Sequence, residues 1–232
     1  FSLHKNKLQE DIKMSEQFDN AMKMAMDAYN ANNEEECKSF CNQALINDPS
    51  SANAKALKGA AVLISFSLAG AESDAVEAIK IWQSITDSSN LTDEYKDIVI
   101  NAAFDFRTRW YNAAKAHHKE FKNVAGADAE WDHVKSCYQI FMNNVAQLPW
   151  LISYKKFLEL TLDLVKKQFG SLKEVTFAEN VFKANIGKEG EIGSLARQIQ
   201  NEFASLKKRR LIKWGIIIGA IVIIFIISYF AQ

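Results

Sequence analysis

Residues 214–231 read WGIIIGAIVIIFIISYFA, an uncharged run of 18 residues of which eight are Ile. As a helix it would span about 27 Å, close to the hydrocarbon thickness of a bilayer. A helix that is apolar on every face has no polar side to show to water, so it must be enclosed by protein or by lipid. Five basic residues, Lys207, Lys208, Arg209, Arg210 and Lys213, stand just before the run, which favours lipid. The expectation is a transmembrane anchor over 214–231. Trp214 and Tyr229 lie where an aromatic belt belongs, and Ile223 lies mid-span. Gly215 and Gly219 form a GxxxG pair, the spacing that lets two spans pack closely, so a homodimer through the anchor is an expected partner besides the lipid bilayer.

Only the neutral Gln232 follows the span. The positive-inside rule then leaves everything upstream on the cytosolic side, the layout of a single-pass, tail-anchored protein. The basic cluster has two readings, a topology determinant and an attraction to anionic lipid headgroups. The absence of a basic tail after the span favours the bacterial inner membrane or the endoplasmic reticulum over the mitochondrial outer membrane. Without the five basic residues the rest of the chain carries 23 basic against 28 acidic residues. A domain of net charge about −5 repels phosphate, so no nucleic acid is expected as a partner. Residue 1 is Phe and residues 1–20 are polar, which points to a fragment or processed chain with a domain upstream and no signal peptide in view. The three cysteines, Cys37, Cys41 and Cys137, lack disulfide spacing and fit a reducing compartment.

Upstream of the anchor the periodicity is helical throughout, and the expected fold class is all-α. Residues 3–31 carry an apolar stripe of Phe18, Ala21, Met24, Ala25 and Ala28. A second helix opens on Glu34, Glu35 and Glu36, where acids suit the positive end of the helix dipole, and stops at Asp48 and Pro49. A third, capped by Ser50 or Ser51, is expected to run to Gly70. A fourth begins near Ser73 with Val76, Ile79, Trp82 and Ile85 facing inward. Thr92 caps a fifth helix reaching about Val124, whose two apolar stripes predict packing on both sides. A sixth carries Trp131, Val134, Tyr138, Phe141, Val145 and Leu148. Pro149 opens a seventh, and Ser171 with Glu174 fits a capping box for an eighth. Residues 187–193, GKEGEIG, read as a hinge. Beyond them Leu195, Ile199, Phe203 and Leu206 make a last stripe running toward the anchor. The expected domains are helical hairpins over 1–90, a further helical bundle over 91–186, a hinge and basic juxtamembrane helix over 187–213, and the anchor over 214–231.

Residues 18–49 resemble a tetratricopeptide repeat. Ala21, Met24, Ala25 and Ala28 occupy the first-helix consensus positions, and Cys37, Cys41, Ala44 and Pro49 those of the second helix. A poorer copy follows from Ala54 to Trp82, so the resemblance covers about 70 of 232 residues. It implies a solenoid-like start, followed here by an irregular helical bundle, and a concave surface that holds a partner protein. The first-helix groove positions hold Met22 and Met26, which argues against a clamp for C-terminal carboxylates. Two readings remain for these methionines, a groove for an apolar partner helix and ordinary packing. The whole layout is also similar to that of tail-anchored mitochondrial fission adaptors, which carry a basic tail after the span.

No catalytic constellation is legible, and no cofactor or metal is expected. Residues 187–193 lack the strand and spacing of a phosphate loop. Glu130 and His133 make an ExxH pattern, but a di-iron site needs a second such pair and none of the other histidines provides one. Cys37 and Cys41, four apart on one helix face, read as small core residues. The expectation is a non-enzymatic, membrane-tethered interaction module recruiting a cytosolic protein. The alternatives are a SNARE-like fusion or tethering factor, or the stalk and anchor of a larger protein. Against the SNARE reading, Leu195 to Leu206 supplies fewer than two heptads.

Overall fold

The computed structural model describes residues 2–167 and 175–230, with side chains described for 13–167, 175–209, 211, 212 and 218. Among these residues there are nine α-helices and no strand: α1 (Ser2–Asn30), α2 (Glu34–Asn47), α3 (Ala52–Val62), α4 (Ala71–Gln83), α5 (Asp93–Phe121), α6 (Ala127–Val145), α7 (Lys155–Lys167), α8 (Phe177–Asn185) and α9 (Gly190–Phe230). The all-α expectation holds. The chain divides into two compact units, Phe1–Leu151 and Ile152–Gln232.

The first unit is an array of helical hairpins. α1 packs on α2, α3 on α4 and α5 on α6; in addition α1 meets α3, α3 meets α5, and α4 meets α6. Odd-numbered helices therefore line one side and later even-numbered helices another, the pattern of stacked hairpins. The first reversal uses Asn32 at φ 56°, a left-handed conformation that Asn tolerates better than most residues. Asn33 then caps α2, its side chain accepting from the Glu36 N–H at 3.3 Å.

The inward face of α1 differs from the expected stripe. Met22 is 7% exposed and sits in a core cluster with Ala21, Ala25, Ala28, Cys37, Cys41 and Ala44, whereas Met24 is 48% exposed. The helical period does not separate the two: at about 100° per residue each lies about 80° from the direction shared by Ala21 and Ala25, one on either side. Small residues at 21, 25 and 28 let α2 come close, and Met22 fills the flank.

α3 is buried almost all round, through Ala52, Ala54, Ala56, Leu57, Gly59, Ala60, Ala61 and Val62. Ser51 caps it, accepting from the Ala54 N–H at 3.2 Å. A Cβ on Gly59 would lie 2.3 Å from Nε1 of Trp82, so only glycine admits the indole there. That indole donates to the Ala56 carbonyl at 3.1 Å and locks α4 on α3. α3 stops at Val62, short of the expected Gly70. The reason lies in α5: the Arg109 guanidinium donates to the carbonyls of Leu63 (2.6 Å) and Ile64 (2.9 Å), satisfying groups that a continuing helix would have used. Val76, expected inward, is exposed on α4.

α5 is packed on both sides as expected, against α3 and α6. Its Phe106 meets Phe66, Trp110 and Phe141 edge-on, with ring centroids 5.6–5.7 Å apart. Thr92 precedes α5 but makes no side-chain cap; its own N–H donates to Asn53 at 3.1 Å instead. Arg107 is buried, its guanidinium over the rings of Tyr138 and Tyr111.

In the second unit α7 and α8 both pack on α9. Phe157, Leu158 and Val165 of α7 and Val181 and Phe182 of α8 are buried, as are Ala196, Ile199, Phe203 and Leu206 of α9. The stripe expected before the anchor is thus part of this unit's core. Asn185 is fully buried and donates to the carbonyls of Ile152 and Val181, both at 2.8 Å. Of the stretch 187–193, residues 187–189 connect α8 to α9 and residues 190–193 are the first turn of α9. Gly190 has φ +67°, and a Cβ on Gly193 would come within 1.8 Å of the Lys188 carbonyl oxygen. The capping box expected at Ser171 and Glu174 lies outside the described residues.

Among the described residues no helix is long and apolar enough to cross a membrane, so the expected anchor draws no support from them. Within the span at 214–231 only the side chain of Ile218 is described, and it is exposed; Trp214, Gly215, Gly219, Ile223 and Tyr229 lie outside the residues whose side chains are described.

Candidate functional site

Two places on the first unit gather polar groups beside open space. One lies where α1, α3 and α5 meet. A groove of about 450 Å³ is lined there by Tyr29 and Asn32 from the end of α1, by Ala60 and Ile64, and by Asn101, Asp105 and Arg109 from α5. It exists because α3 is built from small residues and ends early, leaving room beside the first turns after it. Burial, then the nearness of Cys37 and Asp105, holds the Tyr29 phenol above its usual range, against the opposing pull of Arg109. The groove therefore offers a neutral hydroxyl and the amides of Asn32 and Asn101, beside a carboxylate and a guanidinium that pair with each other, Arg109 Nε lying 2.8 Å from Asp105 Oδ2. These groups suit hydrogen bonding to a polar partner; no nucleophile paired with a base is among them.

The other place lies where α6 packs on α4. His133 and Cys137 are one turn apart on α6, with Cys137 Sγ 3.5 Å from His133 Nε2. Glu72, in the first turn of α4, brings Oε2 to 3.4 Å from the same Nε2. One ligand atom from each of the three side chains lies within 4.8 Å of the other two. Glu72 and Cys137 also line a groove of about 360 Å³, which Val76, Ile140 and Trp110 continue. Burial, with the neighbouring Glu72, pushes the Cys137 thiol up from its ordinary value. A thiol in such a setting is a poor nucleophile.

The remaining histidines sit elsewhere. His118 donates from Nε2 to the Asp128 carboxylate at 2.7 Å and stacks on Trp131, while His117 lies 3.7 Å from Glu130 and against Phe121. The ExxH pair of the sequence is therefore split: Glu130 turns to His117 and His133 to α4. Cys37 and Cys41 are both fully buried. Their shared hydrogen bond, together with burial, pushes the Cys41 thiol up.

The residues singled out in the sequence fall as follows. Met22 is buried in the core cluster and Met26 is partly buried against it, which leaves Met22 little surface for a partner. Lys207, Lys208 and Arg209 are exposed on α9. Lys207 reaches Glu179 of α8 at 3.8 Å and covers the ring of Phe203. The side chains of Arg210 and Lys213 lie outside the described residues. Sequence reasoning missed Glu72, Cys137 and Asp105 as site residues. The four-residue spacing of His133 and Cys137 was the one available signal, since it places both on one helix face. No protein-family model matches the chain, and neither does any curated protein or solved structure.

Proposed function

We propose that this chain is a membrane-tethered interaction module that recruits a cytosolic protein to the bilayer surface. The observation that carries the reading is the groove between α1, α3 and α5, a polar-lined opening along one side of a stacked hairpin array. Stacked hairpins offer a long face of fixed geometry, and the resemblance of 18–49 to a tetratricopeptide repeat supports the same use. Tyr29, Asn101 and Asp105 are the groups a partner meets there.

The tether is argued from sequence. An uncharged stretch at 214–231 follows five basic residues, and that length and flank suit a segment entering the lipid. The basic residues keep the upstream chain cytosolic. Confinement to a surface raises the partner's local concentration, so modest intrinsic affinity is enough.

The test is photo-crosslinking in native membranes with a benzophenone amino acid at Asn101. The expected result is one discrete protein adduct in the membrane fraction, lost with Asp105→Arg and absent when the probe sits at the exposed Glu77. Deleting 214–231 is expected to move the chain and its adduct into the soluble fraction. Identical adducts from positions 101 and 77, or none from either, would overturn the recruiting role. A deleted chain that still sediments with membranes would overturn the tether.

A further inference from the structure

Two chemistries are open to a cysteine, a histidine and a carboxylate in contact, and their geometries differ. A nucleophilic relay needs the thiol on one ring nitrogen and the acid on the other, so that a proton can be taken on one side while the ring is oriented from the other. A metal site needs every ligand atom to converge on one point. Here Cys137 Sγ and Glu72 Oε2 both approach Nε2 of His133, at 3.5 Å and 3.4 Å. The relay arrangement is absent and the convergent one is present.

The separations can be compared with what a bound ion demands. For tetrahedral zinc, with bonds of about 2.3 Å to sulfur and about 2.0–2.1 Å to nitrogen and oxygen, the sulfur–nitrogen edge is about 3.6 Å and the nitrogen–oxygen edge about 3.4 Å. The observed edges match both, and the third, between Cys137 Sγ and a Glu72 carboxylate oxygen, is no longer than 4.8 Å, against about 3.6 Å at a tetrahedral ion. We propose that Glu72, His133 and Cys137 form a binding site for one divalent cation of the zinc class, with a fourth position open to water in the groove beside Val76 and Ile140.

The donor set selects the ion. Thiolate and imidazole favour borderline and soft metals, whereas magnesium and calcium require oxygen ligands. Binding replaces the Cys137 S–H bond with a sulfur–metal bond and releases the proton to solvent. Three protein ligands with one open position is the arrangement of zinc sites that exchange a ligand; closed structural sites use four. The site joins α4 to α6, so an ion there links the second hairpin to the third across 61 residues of chain. Sequence alone offered only its α6 half. This inference stands apart from the recruiting role and survives or fails separately from it.

The test uses the full chain in detergent under reducing conditions, titrated with Co2+ and then with Zn2+. A thiolate-to-cobalt charge-transfer band is expected, saturating at one equivalent per chain and bleached by Zn2+. Cys137→Ser is expected to abolish the band. His133→Ala and Glu72→Gln are each expected to weaken Zn2+ binding by about tenfold or more, measured by competition with a chromophoric chelator. All three positions are at least partly exposed, so circular dichroism of each variant is expected to match the parent chain. No charge-transfer band in the parent, a band that persists in Cys137→Ser, or Zn2+ affinity unchanged by His133→Ala and Glu72→Gln would each overturn the site.

Discussion

The first two hairpins and the third solve the same packing problem with opposite materials. Between α1 and α4 the buried surface is mostly Ala, Cys and Gly, and one large ring, Trp82, is accommodated by the absence of a side chain at Gly59. Where α5 packs on α6 the large buried groups are aromatic, and Phe106 is held by Trp110, Phe141 and, from the segment after α3, Phe66. Small residues bring helix axes close and make the contact intolerant of added volume; large rings keep helices further apart and make it intolerant of lost volume. The difference teaches that a stacked array need not repeat its core chemistry, provided each hairpin buries one face on the next.

Substitutions can break or sharpen that contrast. Four of the five tryptophans, at 82, 110, 131 and 150, lie in the first unit, so fluorescence-monitored urea unfolding in detergent follows that unit. The largest effect is expected for Phe106→Ala, a loss of about 3–5 kcal/mol from removing a fully buried ring and leaving a cavity among its neighbours. A loss below about 1 kcal/mol would show that the aromatic cluster closes on itself and that lost volume is not its weakness.

Gly59→Ala comes next. On a bare helix this change stabilises by nearly 1 kcal/mol. Here the added methyl meets the Trp82 ring at 2.3 Å, and a net loss of about 1–3 kcal/mol is expected. A gain in stability would mean that the indole can shift, and the small-residue contact would lose its claim to be tight. Combining Gly59→Ala with Trp82→Phe sharpens the point, since relief of the clash makes the pair less costly than the sum of its parts.

The smallest effect is expected at the junction of the two regions. Arg109→Met keeps the apolar stem but leaves the carbonyls of Leu63 and Ile64 without their charged donor, at a cost of about 1.5 kcal/mol. Faster amide exchange is expected over the last turn of α3, with little change in α6. Uniform exchange changes across the first unit would assign Arg109 a global role.

Much of the helical layout was legible beforehand, and the misses are informative. The start of α2 at Glu34, a cap for α3 at Ser50 or Ser51, the break at Pro49 and the doubly packed α5 follow from signals within one or two turns. The end of α3 did not, because the group that stops it lies 45 residues away on α5. Met22 and Met24 were exchanged because both lie within reach of one apolar stripe, and only the close approach of α2 separates them. The candidate metal cluster was half visible, as a histidine and a cysteine four apart. Its third member was hidden at Glu72, and the nearer Glu130 suggested the wrong companion for His133.

By itself the sequence determined that this chain is helical, where most helices begin, and that an uncharged stretch follows a basic run near its C-terminus. Those properties arise from hydrogen bonds and side-chain periodicity within a few residues, and no distant contact is needed to specify them. Only the tertiary structure decided which helices meet, that Arg109 ends α3, and that α4 carries a carboxylate to the histidine and cysteine of α6. Such meetings depend on how faces of many residues fit at once, and no single spacing along the chain encodes that fit.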